Sequence, residues 1–313
     1  MKFLVTSRSF GSGRHDYPAQ LRAAGHEVVV GPPDHDLTAL AADLADADAW
    51  IAGTGPVTGA HLDLATRLKV VARYGVGVEA VDLTATRQRG VVVTNTPGAN
   101  SGAVADHTIA LLLAAARQVV EGDRKVRRGD WKALRGRELG AMTIGIWGFG
   151  RIGQGVAQRL SGFAPTLLAC DPYLDAERAA ALGARAASES ELADCDAVSL
   201  NAPGGNQLVT AEWLAQVRPG LLLVNSARAD LVDEEALAAA LADGRIAGYA
   251  ADSVAGDTAG HDSPLLAEAL AAKVTITPHV GAQTVEAIDE MGRMAMENAL
   301  AVLAGEPPLN LVL

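Results

Sequence analysis

The sequence has few cysteines and lacks any long hydrophobic run. Its two cysteines, Cys170 and Cys195, are too few for a disulfide framework or a cysteine zinc site. The purest apolar stretch, residues 109–116, is too short to cross a bilayer, and the N-terminus has no signal-peptide core. We therefore expect a protein of the reducing cytoplasm, with no membrane partner and no metal site.

Basic residues are in the minority, with 26 Lys+Arg against 37 Asp+Glu and a formal net charge of −11. This balance excludes a general nucleic-acid binder, whose surface would be basic. A small anionic ligand remains compatible, because a local cluster of cations can override the net charge. The 49% apolar content is enough for a large core and excludes global disorder, and 313 residues suggest two domains.

Short β-rich apolar runs alternate with amphipathic segments along the whole chain, as is typical of βαβ units. Strands are predicted at 2–6, 27–30, 49–52, 69–72 and 91–94, and in a second series at 143–147, 166–170, 197–200, 221–225, 248–251 and 274–277. Helices are predicted at 18–24, 37–45, 101–120, 151–161, 234–242 and 285–303. The pattern predicts an α/β fold with two doubly wound parallel sheets.

A glycine-rich turn follows the first strand of the second series. Gly148, Gly150 and Gly153 form a GxGxxG pattern that includes Arg151 and Ile152 and precedes a predicted helix. In this setting the glycines allow a tight turn, close approach of backbone to a pyrophosphate, and helix–strand packing. The alternative is that they serve packing alone.

An acidic residue ends the next predicted strand. Asp171 lies 18 residues after Gly153, near the spacing expected for a carboxylate that binds the adenosine ribose. It would repel a 2′-phosphate, and no Arg or Lys follows immediately. The sequence therefore predicts NAD as the cofactor rather than NADP.

Five blocks occur in order along the chain: LKVVARYGVGVEAVD at 68–82, NTPGANSGAVADHTIALLL at 95–113, MTIGIWGFGRIGQ at 142–154, NSARADLVDEEAL at 225–237 and TPHVGAQT at 277–284. With these blocks the chain resembles the D-isomer-specific 2-hydroxyacid dehydrogenase family, especially its D-3-phosphoglycerate dehydrogenase branch in a short form without a regulatory domain. The resemblance implies a flavodoxin-like substrate domain at 1–97 and 284–313, and a Rossmann NAD-binding domain at 98–283. It also implies a homodimer formed through the NAD-binding domain, with an intramolecular core as the alternative for the apolar face of helix 101–120.

The same resemblance implies an NAD-dependent oxidoreductase that interconverts a D-2-hydroxy acid and its 2-oxo acid by hydride transfer. The expected substrate is 3-phosphoglycerate/3-phosphohydroxypyruvate, or another 2-oxo acid with a second anionic group such as phosphonopyruvate. Three alternatives stay open: a glyoxylate or hydroxypyruvate reductase, a phosphite-type oxidation, and a non-catalytic NAD-sensing scaffold of the same fold.

Three catalytic residues are implied by the resemblance. Arg228 would bind the substrate carboxylate and polarise the ketone, since its forked donors match a planar carboxylate. His279 would be the proton donor. The family's glutamate aligns with Asp257, one methylene shorter, which would orient His279; Asp262 is the alternative. Of the other histidines, His107 is expected to be structural, and His15, His26, His35, His61 and His261 have no partner suggested by spacing.

The remaining site residues are also implied by the resemblance. Cofactor binding is expected at Gly148, Gly150, Arg151, Ile152, Gly153, Asp171, Asn201, Ala202, Pro203, Ala227, Asp252 and Gly281. Substrate binding is expected at Arg73, Gly75, Val76, Gly77, Asn100 and Arg228. Among these, Asp252 would contact the nicotinamide carboxamide, the amides of 75–77 would bind the carboxylate, and Arg73 would lie near a distal anion unless it forms a surface ion pair.

The chain departs from the family pattern at three further places. Arg228 is followed by Ala229 instead of glycine, so that backbone should avoid positive φ. Asn201 replaces a common histidine, and the loop after Pro203 is shorter than usual; these changes indicate either a specialised substrate or neutral drift. A cluster of cations is either an attractor for an anionic substrate or a solvated helix face: Arg124, Lys125, Arg127, Arg128, Lys132, Arg135 and Arg137.

Overall fold

The computed structural model describes residues 1–256 and 262–313. These residues form two units: unit 1 comprises Met1–Ala103 and Ala282–Leu313, and unit 2 comprises Val104–Gly281. Each unit contains a parallel sheet with helices between successive strands, which confirms the predicted α/β fold class.

Unit 1 is built on a five-stranded sheet in the order β2-β1-β3-β4-β5. Its strands are β1 Lys2–Val5, β2 Glu27–Val30, β3 Ala49–Ala52, β4 Val70–Arg73 and β5 Val92–Thr94. All neighbours pair in parallel, and every residue of β3 and β4 is buried, as expected for strands covered on both faces. The loops after these strands therefore share one edge, the carboxyl edge of unit 1.

Five helices belong to unit 1: α1 Tyr17–Ala23, α2 Leu37–Leu44, α3 Gly59–Leu64, α4 Leu83–Gln88 and α12 Val285–Ala304. Aspartate or threonine side chains cap the first turns of α1, α2, α4 and α12 by accepting a backbone N–H. In α12, Ala287, Met291, Ala295 and Ala299 recur every four residues and pack against the sheet.

Unit 2 contains a seven-stranded sheet in the order β12-β11-β10-β9-β6-β7-β8. Its strands are β6 Thr143–Trp147, β7 Thr166–Cys170, β8 Ala184–Ala186, β9 Ala197–Leu200, β10 Leu221–Asn225, β11 Ile246–Ala251 and β12 Val274–Ile276. The chain runs outward from β6 to β8 and then returns to the other side of β6 at β9. The boundary between β6 and β9 is thus a topological switch point, where open α/β sheets bind ligands.

Within the described residues, seven helices contribute to unit 2: α5 Ser101–Arg117, whose first three residues belong to unit 1, α6 Val119–Arg127, α7 Arg151–Leu160, α8 Ala176–Ala181, α9 Glu189–Ala193, α10 Ala211–Leu214 and α11 Glu234–Ala242. Short 3-10 turns occur at Leu139–Ala141, Ser161–Phe163, Ala229–Leu231, Pro264–Leu266 and Glu268–Leu270.

The predicted single helix at 101–120 is wrong, because the chain breaks at Gln118. This residue is left-handed, with φ +51° and ψ +42°, and its side-chain amide donates to the Arg135 carbonyl. The Ala116 carbonyl accepts from the Arg137 amide instead of continuing the helix.

Among the described residues, no single helix is long and apolar enough to cross a membrane; only α5 and α6 together, bent by 59°, reach that length and composition.

Six predicted strands are confirmed residue for residue: 27–30, 49–52, 143–147, 166–170, 197–200 and 221–225. The strand β8 was not predicted. It has three residues, Ala-Arg-Ala, and contains no β-branched or aromatic side chain that would indicate a strand. It forms only by pairing with β7 at the sheet edge.

Candidate functional site

The glycine-rich turn lies at the switch point of unit 2. Gly148 has φ +92°, and its amide donates to the Cys170 carbonyl at 2.8 Å. A Cβ on Gly148 would lie 2.6 Å from the Ala202 nitrogen, so the turn passes directly against the loop after β9. A Cβ on Gly153 would lie 2.1 Å from the Gly148 carbonyl oxygen. Both positions therefore require glycine for close packing.

The N-terminus of α7 opens onto free space. Gly150 is its N-cap, and a Cβ there would meet no heavy atom of the described chain within 4 Å. The first amides of the helix are thus accessible to a phosphate group. Beside them, the half-buried Asp171 accepts the amide of Phe149 at 2.7 Å and that of Tyr173 at 2.8 Å. These bonds fix the carboxylate and leave it lone pairs for hydroxyl donors.

Asn201 supplies an unsatisfied acceptor next to this turn. Its side-chain NH2 donates to the carbonyl and the hydroxyl of Ser199, both at 3.1 Å. Its Oδ1 is buried and has no hydrogen-bond partner among the described residues. A buried acceptor without a donor costs free energy, which a ligand N–H or O–H would recover. The open helix terminus, the Asp171 carboxylate and this acceptor together fit a dinucleotide such as NAD.

His279 lies in a turn after β12 that Asp252 stabilises. Asp252 is buried, and its backbone carbonyl accepts the His279 amide at 2.9 Å. Its carboxylate accepts the amides of Val280 at 2.9 Å and Gly281 at 2.6 Å. His279 has φ +55°, which is uncommon for a residue other than glycine. The buried Asp252 carboxylate thus fixes a turn in which the backbone of His279 is strained. Backbone strain of this kind is frequent at functional sites.

Arg228 follows β10 in an extended conformation, with φ −142°. The fully buried Asn225 donates its side-chain amide to the Arg228 carbonyl at 2.7 Å and accepts the Ala227 amide at 3.0 Å. Ala229 does not adopt positive φ, which confirms the expectation from the Arg-Ala sequence. A single buried side chain therefore shapes the turn that carries the guanidinium.

The short loop after Pro203 is tied to this arginine turn. The Gly205 amide donates to Asp230 Oδ2 at 2.7 Å, and Gly205 has φ +102°. A Cβ on Gly204 would lie 2.8 Å from Asp230 Oδ1 and 3.2 Å from Arg228 Cγ. The loop consequently packs against the base of the Arg228 side chain.

The predicted catalytic carboxylate, Asp257, lies outside the described residues, as does His261. Its alternative, Asp262, is exposed. On either side of 257–261, the chain is bound to the buried Glu234 of α11. The Ala255 amide donates to Glu234 Oε1 at 2.7 Å, and the Ser263 hydroxyl donates to Oε2 at 2.5 Å.

The substrate residues predicted in unit 1 lie on its carboxyl edge. Arg73 is 8% exposed, and its Nη1 donates to the carbonyls of Ala52 at 3.1 Å and Tyr74 at 2.7 Å. Arg73 is therefore a buried residue and not part of the exposed surface. A Cβ on Gly75 would lie 3.5 Å from Arg73 Nη1, so the glycine loop 75–77 passes next to the guanidinium.

Only part of this glycine loop offers free amides. The Gly75 amide donates to Thr96 Oγ1 at 3.1 Å and is not available to a ligand in this arrangement. Within the described chain, the amides of Val76 and Gly77 have no such acceptor. Asn100 Oδ1 is likewise buried without a partner among the described residues.

Most of the basic cluster at 124–137 is engaged within unit 2. Arg124 donates to the Ala271 carbonyl at 2.5 Å. Three further cations form ion pairs: Lys125 with Asp130 at 2.9 Å, Arg127 with Asp123 at 2.7 Å, and Arg137 with Asp196 at 2.8 Å. These contacts favour a stabilised protein surface over an attractor for the substrate.

His107, expected to be structural, contacts the His279 turn. Its Nε2 lies 2.8 Å from Thr277 Oγ1 and 3.3 Å from Asp252 Oδ1. Sequence reasoning did not assign His107 to the site. The signal that could have done so was its position in the block 95–113, one of the five blocks that carry the family resemblance.

Comparison with known proteins decides the family. Residues 109–281 match the model of a family described as D-isomer specific 2-hydroxyacid dehydrogenase, NAD binding domain. The chain belongs to this family. Unit 2 therefore contains the family's NAD-binding domain, which confirms the family and the cofactor predicted from the sequence.

Individual relatives agree with this assignment. D-3-phosphoglycerate dehydrogenase of Mycobacterium tuberculosis is 40% identical over 299 residues, covering 92% of this chain and 56% of that protein. The chain thus spans little more than half the length of that relative. Glyoxylate reductase of Pyrococcus furiosus is 39% identical over 263 residues, covering 79% of this chain and 76% of that protein.

Solved structures give the same fold. A protein from Thermus thermophilus is 36% identical, with a TM-score of 0.88 and complete coverage of both chains. An NAD-dependent formate dehydrogenase from Staphylococcus aureus, solved in complex with NAD, is 28% identical, with a TM-score of 0.86 and coverage of 100% and 99%.

Proposed function

We propose that this protein is an NAD-dependent D-2-hydroxyacid dehydrogenase, interconverting a D-2-hydroxy acid and its 2-oxo acid. The observation that carries the proposal is the carboxyl edge of the unit 2 sheet. The dinucleotide turn follows β6, the Arg228 turn follows β10, and the His279 turn follows β12. Since these strands are parallel, their loops lie on one edge, where such folds bind ligands.

The roles follow from the chemistry of the side chains. The Arg228 guanidinium binds the carboxylate of the 2-oxo acid through two donors and polarises the ketone oxygen. The His279 imidazolium donates a proton to that oxygen as it becomes a hydroxyl, and neutral His279 accepts the proton in the reverse direction. NADH, when bound, supplies the hydride. Gly150, Asp171 and Asn201 would hold the dinucleotide, and Asp252 would serve both the His279 turn and the nicotinamide carboxamide.

The proposed substrate carries a second anionic group, as in 3-phosphohydroxypyruvate or phosphonopyruvate. Arg73 supports this choice, because it is a cation at the carboxyl end of β4, on the edge where such sheets bind ligands. The free amides of Val76 and Gly77, together with Asn100, would bind the substrate carboxylate. The phosphoglycerate dehydrogenase relatives favour the same class, whereas the glyoxylate reductase relative favours the simpler alternative.

A panel of 2-oxo acids tests the function and the substrate together. NADH oxidation is measured with 3-phosphohydroxypyruvate, phosphonopyruvate, hydroxypyruvate, glyoxylate and pyruvate. We expect turnover of the first two, and we expect Arg73→Gln to raise their KM about tenfold through loss of a charged hydrogen bond. Arg14→Gln is the matched control, because Arg14 is exposed and paired with Glu286.

The other outcomes of this panel are equally informative. Turnover of only the small acids would support the proposed dehydrogenase activity and refute the proposal that the substrate carries a second anionic group. If NADH binds but no acid is reduced, the proposed activity is wrong and the scaffold function is favoured.

We retain Asp257 as the proposed carboxylate partner of His279. Asp257→Asn is expected to lower kcat about 10- to 100-fold and to alter its pH profile, because an amide cannot stabilise the imidazolium. Asp262→Asn is the matched control and should stay within about twofold, as expected for a substitution of an exposed carboxylate. If Asp262→Asn lowers kcat and Asp257→Asn does not, Asp262 is the carboxylate partner of His279 in place of Asp257.

We propose a homodimer formed through unit 2. Apolar side chains are exposed in and after α6: Val119 is 58% exposed, Val126 42% and Trp131 79%. Exposed apolar side chains that cluster in one segment are typical of interaction surfaces. Light scattering on the eluting protein should give twice the chain mass of 32.2 kDa. A mass of one chain would refute the dimer.

We also propose a cytoplasmic location. Both cysteines are free thiols, as expected in a reducing compartment. Burial raises the pKa of Cys195 to about 12, so its thiol stays protonated and unreactive at neutral pH.

A further inference from the structure

Two consecutive residues of α5 contact the two turns that carry Arg228 and His279. His107 reaches the His279 turn through Thr277 and Asp252. Thr108 is fully buried and lies 2.6 Å from the hydroxyl of Ser226, which precedes the arginine by two residues. The side chains of consecutive helical residues point about 100° apart, so one rigid helix can contact two different loops.

The hydrogen bonds on the histidine side run in one direction. The Thr277 hydroxyl donates to Asp252 Oδ1 at 2.5 Å, so Thr277 Oγ1 is left to accept from His107 Nε2–H. The Asp252 carboxylate in turn accepts the amides of Val280 and Gly281. His107 thus stabilises the orientation of the carboxylate that fixes the His279 turn.

The hydrogen bonds on the arginine side are equally ordered. The Thr108 hydroxyl donates to the Val104 carbonyl at 2.7 Å, one turn earlier in α5. Its oxygen therefore accepts from the Ser226 hydroxyl. Ser226 is covalently joined to Asn225 and Ala227, whose mutual hydrogen bond shapes the Arg228 turn. Thr108 thus anchors this turn to the same helix.

We propose that His107 and Thr108 are positioning residues, His107 for the proton donor His279 and Thr108 for the carboxylate-binding Arg228. Neither touches the reacting atoms in this assignment. His107 and Thr108 together fix the position of Arg228 relative to His279, because the turns that carry these two residues are hydrogen-bonded to adjacent residues of α5. The inference rests on the proposed dehydrogenase function for its catalytic meaning, but its structural part can be tested without turnover.

Kinetic constants distinguish the two residues. His107→Ala should lower kcat about 10- to 100-fold with little change in KM, since a displacement near 1 Å has such an effect on a reacting group. Thr108→Val should instead raise the KM for the 2-oxo acid about tenfold, equivalent to about 1.4 kcal/mol. His107→Gln and Thr108→Ser retain the relevant donor or acceptor and should recover much of each loss.

The matched control is Asp106→Asn, the preceding residue of α5. Its carboxylate is exposed and pairs with Arg159, and the control should leave both constants within about twofold. A purely structural role would lower the melting temperature without separating KM from kcat or responding to the conservative variants. If His107→Ala and Thr108→Val match the control in both constants, the proposal is overturned.

Amide hydrogen exchange provides the readout that needs no substrate. In His107→Ala, the amides of Val280 and Gly281 should exchange about tenfold faster, because their acceptor is no longer oriented. In Thr108→Val, the Ala227 amide should respond instead. Unchanged exchange at these amides overturns the inference. Faster exchange in a protein whose wild type reduces no 2-oxo acid would refute the proposed activity and support the positioning geometry.

Discussion

Replacing His279 with asparagine is expected to lower kcat about 10²- to 10⁴-fold while NADH affinity and thermal stability stay close to those of the wild type. The expected loss is large because the imidazole is the proposed proton donor and the amide cannot replace it. Asparagine is the informative choice, since His279 has φ +55° and asparagine tolerates the left-handed region better than most residues. Alanine tolerates this region less well than asparagine, so a loss of stability would accompany the loss of the imidazole and obscure its effect on kcat.

His279→Gly completes the design, because glycine relieves the strain entirely. Both variants should lose the same fraction of activity although they differ in stability. His15→Asn, at an exposed position in unit 1, is the histidine control. A kcat for His279→Asn within threefold of the wild type would exclude this residue as the proton donor, whatever happened to the melting temperature.

The cofactor turn could be predicted from the sequence because its determinants are local. A strand, three glycines and a helix occupy adjacent positions. Gly148 and Gly153 have a steric reason visible in the structure, such as the approach of Gly153 to the Gly148 carbonyl, whereas Gly150 faces open space. The family resemblance supplied Arg228 and His279, since both lie in contiguous blocks. In these places short-range sequence rules and the final fold agree.

The support of the site could not be predicted in the same way. The contact from His107 to Thr277 joins residues 170 positions apart, and the block 95–113 marks His107 without indicating this partner. The bond from Gly205 to Asp230 is similar, because it depends on how a shortened loop packs. The break of the long helix at Gln118 also depends on a distant partner, the carbonyl of Arg135. Tertiary contacts decide all three.

The same limit explains why sequence spacing suggested no partner for His35. In the structure His35 is 2% exposed and lies in a polar network buried in unit 1. Its Nδ1 lies 3.0 Å from the Pro56 carbonyl and therefore carries the hydrogen. Its Nε2 lies 2.6 Å from Thr6 Oγ1, and this oxygen already accepts from the indole of Trp50 at 2.9 Å. The neutral ring is thus fully satisfied, with Nε2 accepting from the threonine hydroxyl.

This network predicts a loss of stability in mild acid. Burial lowers the pKa of His35 from 6.5 to about 4, and the positive charge of nearby Arg73 acts in the same direction. As the pH falls below 6.5, the unfolded chain binds the proton first, because its histidine has the higher pKa. The free energy of unfolding is therefore unaffected above pH 6.5 and falls between pH 6.5 and 4, by about 3 kcal/mol for this residue.

Chemical denaturation of the wild type and of His35→Asn at pH 7 and pH 4.5 measures the contribution of His35 to the pH dependence of the free energy of unfolding. The asparagine tolerates the φ of +61° at position 35 and does not titrate. The variant should be less stable at pH 7, where it lacks the ring and its two hydrogen bonds, and should lose less stability on acidification. The difference between the two pH dependences removes the contribution of all carboxylates common to both proteins. Equal pH dependences would show that the pKa of His35 is the same in the folded and unfolded states, and would refute the prediction.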